Sequence, residues 1–207
     1  MIQFQCQTAD CLFTDYLPTK FSLRRMKKSF SDWQYKLEGR AWNMLYLENH
    51  DHPRIVSRYG SEDFQKESAK TLAVSYLFQK GTPFLYQGQE IGMTNCRRGD
   101  ISEYDDISTK DQYQVALQAG CTKEQALQCC YDFSRDNSRT PMHWSAGENA
   151  GFTTGKPWLA VNPNYTEINV AQQEGDPDSL LNFYREAIRL RKSLPAVRHG
   201  AYREYFP

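Results

Sequence analysis

The stretch WNMLYLENHDHPR, residues 42–54, decides the fold class because a buried strand runs directly into a cluster of charge. Its first part, residues 42–47, is almost entirely apolar and barely alternates with polar residues, which predicts a strand covered on both faces. The second part, residues 48–54, consists mainly of ionisable side chains. Burying charge at a strand end is costly unless the charged groups have partners. The stretch therefore predicts a functional loop at the end of a buried strand.

Helical patterns flank this strand on both sides. Within residues 22–39, apolar side chains recur every three or four positions and a glycine follows, which predicts an amphipathic helix. A second helix is predicted from near Glu62 to Lys80. The segment TPFLYQG, residues 82–88, predicts another strand that ends in a polar loop, and the opening MIQFQ, residues 1–5, predicts an earlier one.

The order strand, helix, strand, helix, strand predicts right-handed crossovers and a parallel sheet, and hence an α/β fold. Three such strands cannot close a barrel, which takes eight strands and ~250 residues. The chain is therefore expected to be the back part of a larger unit.

The remaining segments predict a long insertion and a final helix. Residues from about 93 to 163 are expected to form the insertion, with a helix opened by a capping box at Thr122. The last helix is predicted to open with Asp176 as N-cap and Pro177 as its first residue. Residues 201–207 read as the first strand of a further element.

Composition narrows the class of partner. The 207 residues carry 25 basic and 25 acidic side chains, so charge gives no reason to predict a nucleic acid or an anionic membrane as partner. No apolar run approaches the ~20 residues needed to cross a bilayer, and the first residues lack the pattern of a signal peptide, which predicts a cytoplasmic protein. The six cysteines form no C-x-x-C pair, which favours reduced core thiols over a zinc site.

Three polar clusters lie on or near the expected strand ends, at residues 48–54, 86–92 and 134–144. In parallel α/β folds the loops after the carboxyl ends of strands build the active site. Asp51 can accept two hydrogen bonds from neighbouring hydroxyls, His50 can donate one, and an arginine can orient the carboxylate. These residue types suit a polyhydroxylated or cationic ligand.

Two other interpretations of the first cluster remain open at this point. Asp51 and Arg54 could form a structural ion pair, or His50, Asp51 and His52 could hold a metal ion. Adjacent residues of an extended segment point to opposite sides, so one metal cannot easily take all three. We predict no metal site and no cofactor.

Three segments, in this order, resemble the α-amylase family of glycoside hydrolases, family thirteen. LENHDHPRIVSRYG (47–60) resembles the signature after the seventh barrel strand, and GTPFLYQGQEIGMTN (81–95) resembles the segment at the eighth. FSRDNSRTPMHW (133–144), with the later NAGFTTGKPW and VNPNY, is similar to the oligo-1,6-glucosidase and α-glucosidase branch. The resemblance implies a partial (β/α)8 TIM barrel, about strands 6–8 with their helices and a long loop insertion, in residues 1–195. Residues 196–207 would begin a C-terminal β-sandwich domain.

The resemblance also implies residue roles. Asp51 would hydrogen-bond the hydroxyls of the sugar at the cleavage point and stabilise the oxocarbenium-like transition state. His50 and Arg135 would hold the same sugar. Arg139 is a weaker candidate, and a loop-fixing ion pair explains it at least as well. Glu90 is expected to be structural.

The implied activity is retaining hydrolysis of α-glucosidic bonds in short gluco-oligosaccharides, without a cofactor. Retaining glycosidases use a nucleophilic carboxylate and an acid/base about 5 Å apart. In this family they follow the fourth and fifth strands, and no segment before residue 48 resembles either motif, so the chain alone is expected to be inactive. Trp144, Phe152 and Trp158 could line a sugar platform or pack under the long loop. A trehalose-6-phosphate hydrolase of the same family and a non-catalytic carbohydrate-binding protein are the alternatives.

Overall fold

The structure, a computed structural model, describes residues 22–205 and contains helices joined by long loops around two short strands. The elements, in chain order, are α1 (Leu23–Leu37), β1 (Met44–Leu45), α2 (Ile55–Tyr59), α3 (Gln65–Leu77), β2 (Thr82–Pro83), α4 (Ile107–Gln118), α5 (Lys123–Phe133), α6 (Val170–Glu174), α7 (Leu180–Ser193) and α8 (Pro195–His199).

The two strands pair in parallel, with Met44 beside Thr82 and Leu45 beside Pro83. Helices α2 and α3 form the crossover between them, as the order of predicted elements requires. Each strand is shorter than its apolar stretch, because only these residues meet in a ladder. Residues 45–48 are buried, whereas Trp42 and Met44 are 52% and 45% exposed, so β1 is not covered on both faces as predicted. After β2, Phe84 and Leu85 are 49% and 40% exposed. The predicted strand at residues 1–5 lies outside the described residues.

The main core packs α1, α2, α3 and α7 against β1. The side chains that α3 turns towards this core are buried, namely Leu72, Ala73, Tyr76 and Leu77. The turn that ends α1 contains Gly39 at a φ of +68°, a backbone conformation that favours glycine. The sequence pattern therefore identified α1 and α3, two of the helices that form this core.

Two helix boundaries were predicted wrongly. The segment expected to be helical from residue 62 begins its helix only at Gln65, and the separate short helix α2 precedes it. Helix α7 begins at Leu180, with Ser179 rather than Asp176 as N-cap. The Asp176 carboxylate instead accepts a hydrogen bond from the Asp178 amide at 2.9 Å, which closes a turn before the helix.

The insertion contains a second apolar core between α4 and α5. Its buried side chains are Tyr104, Tyr113, Ala116, Ala126, Cys130 and Phe133. The predicted capping box opens α5, with the Thr122 amide donating to Gln125 at 2.8 Å and the Gln125 amide donating back at 3.2 Å. Residues 200–205 form no strand. In the described part of the chain, no helix is long and apolar enough to cross a membrane.

Candidate functional site

Two side chains of the loop after β1, those of His50 and Asp51, point outward. The Asp51 amide donates to the Asn49 side chain at 2.8 Å, and this local turn lifts the chain out of the buried stretch that ends at Glu48. The side chains of His50 and Asp51 are 69% and 46% exposed. Both are therefore accessible to a ligand at the carboxyl end of β1.

The four site residues selected from the sequence lie together. Oδ1 of Asp51 lies 3.2 Å from Nη2 of Arg139 and 3.5 Å from Nη1 of Arg135. Its other oxygen, Oδ2, lies 3.2 Å from Nε2 of His50. Two guanidinium groups from the loop that follows α5 thus converge on one carboxylate from the loop that follows β1.

Arg139 also fixes the backbone of that loop. Its Nε donates to the carbonyl oxygen of His50 at 3.0 Å while its Nη2 faces Asp51. The loop-fixing contact and the contact with the site carboxylate therefore belong to the same side chain.

The hypothesis of an Asp51–Arg54 ion pair is wrong. Arg54 is fully buried and pairs with Glu48, whose Oε2 lies 3.1 Å from Nη1. The same guanidinium donates to the carbonyl oxygen of Gln87 at 2.7 Å, so it points inward beneath the loop after β2. Asp51 points to the opposite, exposed side and pairs with the later arginines.

The loop after β2 approaches this buried pair at a glycine. Gly88 has a φ of +87°, and a Cβ there would meet Nη1 of Arg54 at 3.1 Å as well as the sulfur of Met93. Nearby, the hydroxyl of Tyr86 donates to the carbonyl oxygen of Ser138 at 3.1 Å. Residues after β2 thereby tie the loop after β1 to the turn that carries the two site arginines.

Glu90 lies in the 3₁₀ turn that follows Gly88, and its burial raises the pKa of its carboxyl. Its structural role stays a prediction.

Among the described residues, no group of three or more His, Cys, Asp or Glu side chains could hold a metal ion. Burial raises the pKa of Cys130 to about 12, which suppresses its thiolate at neutral pH.

Sequence reasoning did not select Asp106, the acidic partner of Arg135, or Asp136, which binds the backbone around it. Nε and Nη2 of Arg135 donate to the carboxylate of Asp106 at 3.1 and 2.5 Å. Asp136, also fully buried, accepts the backbone amides of Asp105 and Asp106 through Oδ2. The available signal was an Asp three residues before a Thr at the start of a helix, but it lies inside the insertion rather than after a predicted strand.

The three aromatic side chains proposed for a sugar platform are at least half exposed. Trp144, Phe152 and Trp158 are 51%, 50% and 67% exposed, so they do not pack under the loop in this structure. Nε1 of Trp158 donates to Asp105 at 3.1 Å, which places this ring beside the acidic segment that binds Arg135. The platform itself stays a prediction.

A cavity of about 520 Å³ lies elsewhere in the molecule. Its walls come from α1, α3 and the terminal segment, including Phe30, Leu72 and Tyr202. None of the four selected residues lines it, so its size does not bear on the chemistry at Asp51.

The family model described as the catalytic domain of alpha amylase matches residues 2–200. The oligo-1,6-glucosidase of Parageobacillus thermoglucosidasius is 47% identical over 184 residues, which is 88% of this chain and 33% of that protein. The trehalose-6-phosphate hydrolase of Bacillus subtilis is 42% identical over 184 residues, with the same two shares, 88% and 33%.

A solved structure agrees with the fold. The crystal structure of Bacillus licheniformis trehalose-6-phosphate hydrolase superposes with a TM-score of 0.93 at 40% identity, covering 98% of this chain and 37% of that chain. The chain therefore spans about a third of the length of the curated relatives that it matches.

Proposed function

The chain belongs to the α-amylase family of glycoside hydrolases, and from this membership we propose that it contributes to retaining hydrolysis of α-glucosidic bonds in short gluco-oligosaccharides. Its fold is of the α/β-barrel family. Within that fold we propose that residues 1–195 supply about strands 6–8 of a (β/α)8 barrel and that residues 196–207 begin a β-sandwich domain. An oligosaccharide is the proposed ligand, with a cytoplasmic location and neither nucleic acid nor membrane as partner.

One observation carries the proposal: Asp51 is an accessible carboxylate that is oriented on both of its oxygens. A carboxylate held in this way can accept hydrogen bonds from two adjacent sugar hydroxyls. Its negative charge stabilises the positive charge that develops on the ring in an oxocarbenium-like transition state. His50 and Arg135 would hold the same sugar, and Arg139 would keep the loop in place.

The nucleophile and the acid/base are assigned to no residue of this chain, because no segment resembles those motifs. The proposal for Asp51 is therefore that of a transition-state stabiliser that works with two further carboxyl groups. Those two groups in a retaining enzyme lie ~5–5.5 Å apart across the scissile bond.

Trehalose 6-phosphate is the alternative substrate, since relatives with that activity match almost as well. The charge balance at the site favours a neutral sugar. Arg135 and Arg139 are both within 4 Å of carboxylates, and the cluster of Asp51, Asp106 and Asp136 outnumbers them three to two. These two arginines therefore offer no surplus positive charge to a phosphate.

The test is a hybrid enzyme in which this chain replaces the aligned third of the Parageobacillus thermoglucosidasius oligo-1,6-glucosidase. We expect the hybrid to hydrolyse isomaltose faster than trehalose 6-phosphate. Asp51→Asn should lower kcat by about a hundredfold or more, because it removes charge that acts in the transition state. Asp111→Asn, at an exposed position on α4, is the matched control and should leave kcat unchanged.

Full activity of the Asp51→Asn hybrid would contradict the role given to that carboxylate. Faster turnover of trehalose 6-phosphate would favour the alternative substrate. Titrating the 207-residue chain itself with glucose tests the non-catalytic alternative. That alternative predicts that the chain binds glucose saturably and that the hybrid hydrolyses neither substrate.

A further inference from the structure

Asp106 is a buried carboxylate to which the proposed function gives no catalytic or positioning role. Its side chain is only 2% exposed, yet it lies against Arg135, whose side chain is 36% exposed. Nε of Arg135 donates at 3.1 and 3.2 Å to its two oxygens, and Nη2 donates at 2.5 Å to Oδ1. One edge of the guanidinium is thus occupied by a single carboxylate from below the site.

The position of Asp106 is itself fixed by the start of α4. Its Oδ2 accepts from the amide and the hydroxyl of Thr109 at 3.1 and 2.8 Å, as the N-cap of that helix. The Thr109 hydroxyl lies 2.8 Å from the hydroxyl of Ser134, the residue before Arg135. Backbone amides of Asp105 and Asp106 donate to Asp136, so the acidic segment and the arginine turn are joined twice.

The charge state of Asp106 suits this arrangement. Burial alone would raise the pKa of its carboxyl, but hydrogen bonds from Arg135 and Thr109 outweigh burial and hold the pKa below its ordinary value. The group is therefore anionic at neutral pH and available as an acceptor for a guanidinium. A buried carboxylate of this kind needs its cation, since an unpaired buried charge is strongly destabilising.

The remaining corner of Arg135 points to the site. With Nε and Nη2 engaged by Asp106, Nη1 lies 3.5 Å from Oδ1 of Asp51. A long arginine side chain at a partly exposed position has many rotamers, and a bidentate contact selects one of them. The contact with Asp106 therefore decides which edge of the guanidinium is directed at the Asp51 carboxylate.

We propose that Asp106 is a positioning residue for the sugar site, which holds Arg135 by one edge so that the other edge stays directed at Asp51. This inference rests on the proposed function for its catalytic consequence, whereas the clamp itself is a property of this chain. It also explains why an arginine is used, because a lysine cannot engage two carboxylates in fixed geometry.

The clamp can be measured without any sugar. In the 207-residue chain, the Nε–H resonance of Arg135 in a ¹H–¹⁵N spectrum should move and broaden in Asp106→Asn, which keeps a side chain suited to an N-cap but loses the charge. Asp111→Asn is the matched control, since it makes the same change of charge at an exposed position of the same helix. It should leave the Arg135 resonance where it was.

The catalytic consequence is measured in the hybrid enzyme. Asp106→Asn and Arg135→Lys should each lower kcat/KM for isomaltose by up to about a hundredfold, and the double variant should be no worse than the poorer single one. Additive effects, or an Arg135 resonance unmoved by Asp106→Asn, would overturn the positioning role. If Asp106→Asn does not fold, an Arg135→Lys hybrid with full activity overturns it equally.

Failure of the proposed function would look different. In that case the Asp51→Asn hybrid keeps its activity, and Asp106 then has no catalytic consequence either. If only the positioning role fails, the Asp51→Asn hybrid is inactive and the Asp106→Asn hybrid is active.

Discussion

Glu48 and Arg54 form an ion pair that solvent does not reach. Their side chains are 1% and 0% exposed, and the carboxylate also accepts the Ile55 amide at 2.8 Å. Arg54 in turn donates to the Gln87 carbonyl at 2.7 Å. Because each buried charge depends on the other, the pair fixes the loop after β1 against the loop after β2, directly beneath the segment that presents Asp51.

Breaking this pair on one side should destabilise the chain strongly. Arg54→Met leaves the Glu48 carboxylate buried without a cation, and we expect a loss of about 3–5 kcal/mol in the free energy of unfolding, measured by urea denaturation. The double variant Glu48→Gln/Arg54→Met is the control, and it should recover a large part of that loss because no buried charge remains. A single variant as stable as the wild type would show that the pair is not what holds these loops.

The pH dependence of that loss has a definite sign. Burial raises the pKa of Glu48, and Arg54 acts in the opposite direction. A carboxyl whose folded pKa is raised contributes stability at low pH that is lost as pH rises through the folded value. Removing Arg54 raises that pKa further, so the penalty of Arg54→Met should be larger at about pH 7 than at about pH 5.

At the scale of elements, α7 supplies hydrogen-bond donors to the carboxyl end of α3. Arg191 on α7 is buried and donates to the carbonyl oxygens of Leu77, Gln79 and Gly81, the second at 2.7 Å. Carbonyl groups at the end of a helix have no partner within that helix. A side chain from a distant helix therefore satisfies the end of α3 and the approach to β2 together.

Arg191→Met should lower the free energy of unfolding by about 2–4 kcal/mol, because it leaves buried carbonyl groups without donors. Arg189→Met is the matched control on the same helix, since Arg189 is exposed and pairs with exposed Glu186, and it should change stability by less than about 0.5 kcal/mol. Hydrogen exchange of the amides between α3 and β2 should accelerate in the first variant. Equal stability of the two variants would contradict the role given to Arg191.

At the scale of the whole molecule, a buried histidine makes stability depend on pH. His143 is fully buried, and its Nδ1 lies 2.9 Å from the carbonyl oxygen of Ile168, which joins the end of the arginine loop to the segment before α6. Burial lowers the pKa of His143 to about 4, and the hydrogen bond to Ile168 acts in the opposite direction. The folded chain therefore keeps this ring neutral at a pH where the unfolded chain protonates it.

The stability that depends on a neutral His143 should be present above about pH 6.5 and be lost as pH falls towards about 4, at up to about 1.4 kcal/mol per pH unit. Chemical denaturation at a series of pH values measures this. His143→Gln cannot titrate, so its stability should fall less steeply across the same range. Identical slopes would mean that other groups carry the acid sensitivity.

The elements themselves could be predicted because their signals are local. Apolar spacing identified α1 and α3, and the capping box at Thr122 identified α5, since each depends only on residues within a few turns. The start of α7 was missed because Asp176 and Ser179 are equally good N-caps in sequence. Only the competing turn at Asp178 decided between them.

The sequence by itself predicted the order of helices and strands from α1 to β2 and selected the four candidate site residues. His50 and Asp51 follow directly on an apolar strand, and Arg135 and Arg139 lie in a motif that family resemblance supplied. The tertiary structure decided which charges meet. Arg54 pairs with Glu48 rather than with Asp51, and Arg135 is held by Asp106, 29 residues away. Such pairing depends on distances and burial that packing sets, and no spacing along the chain encodes them.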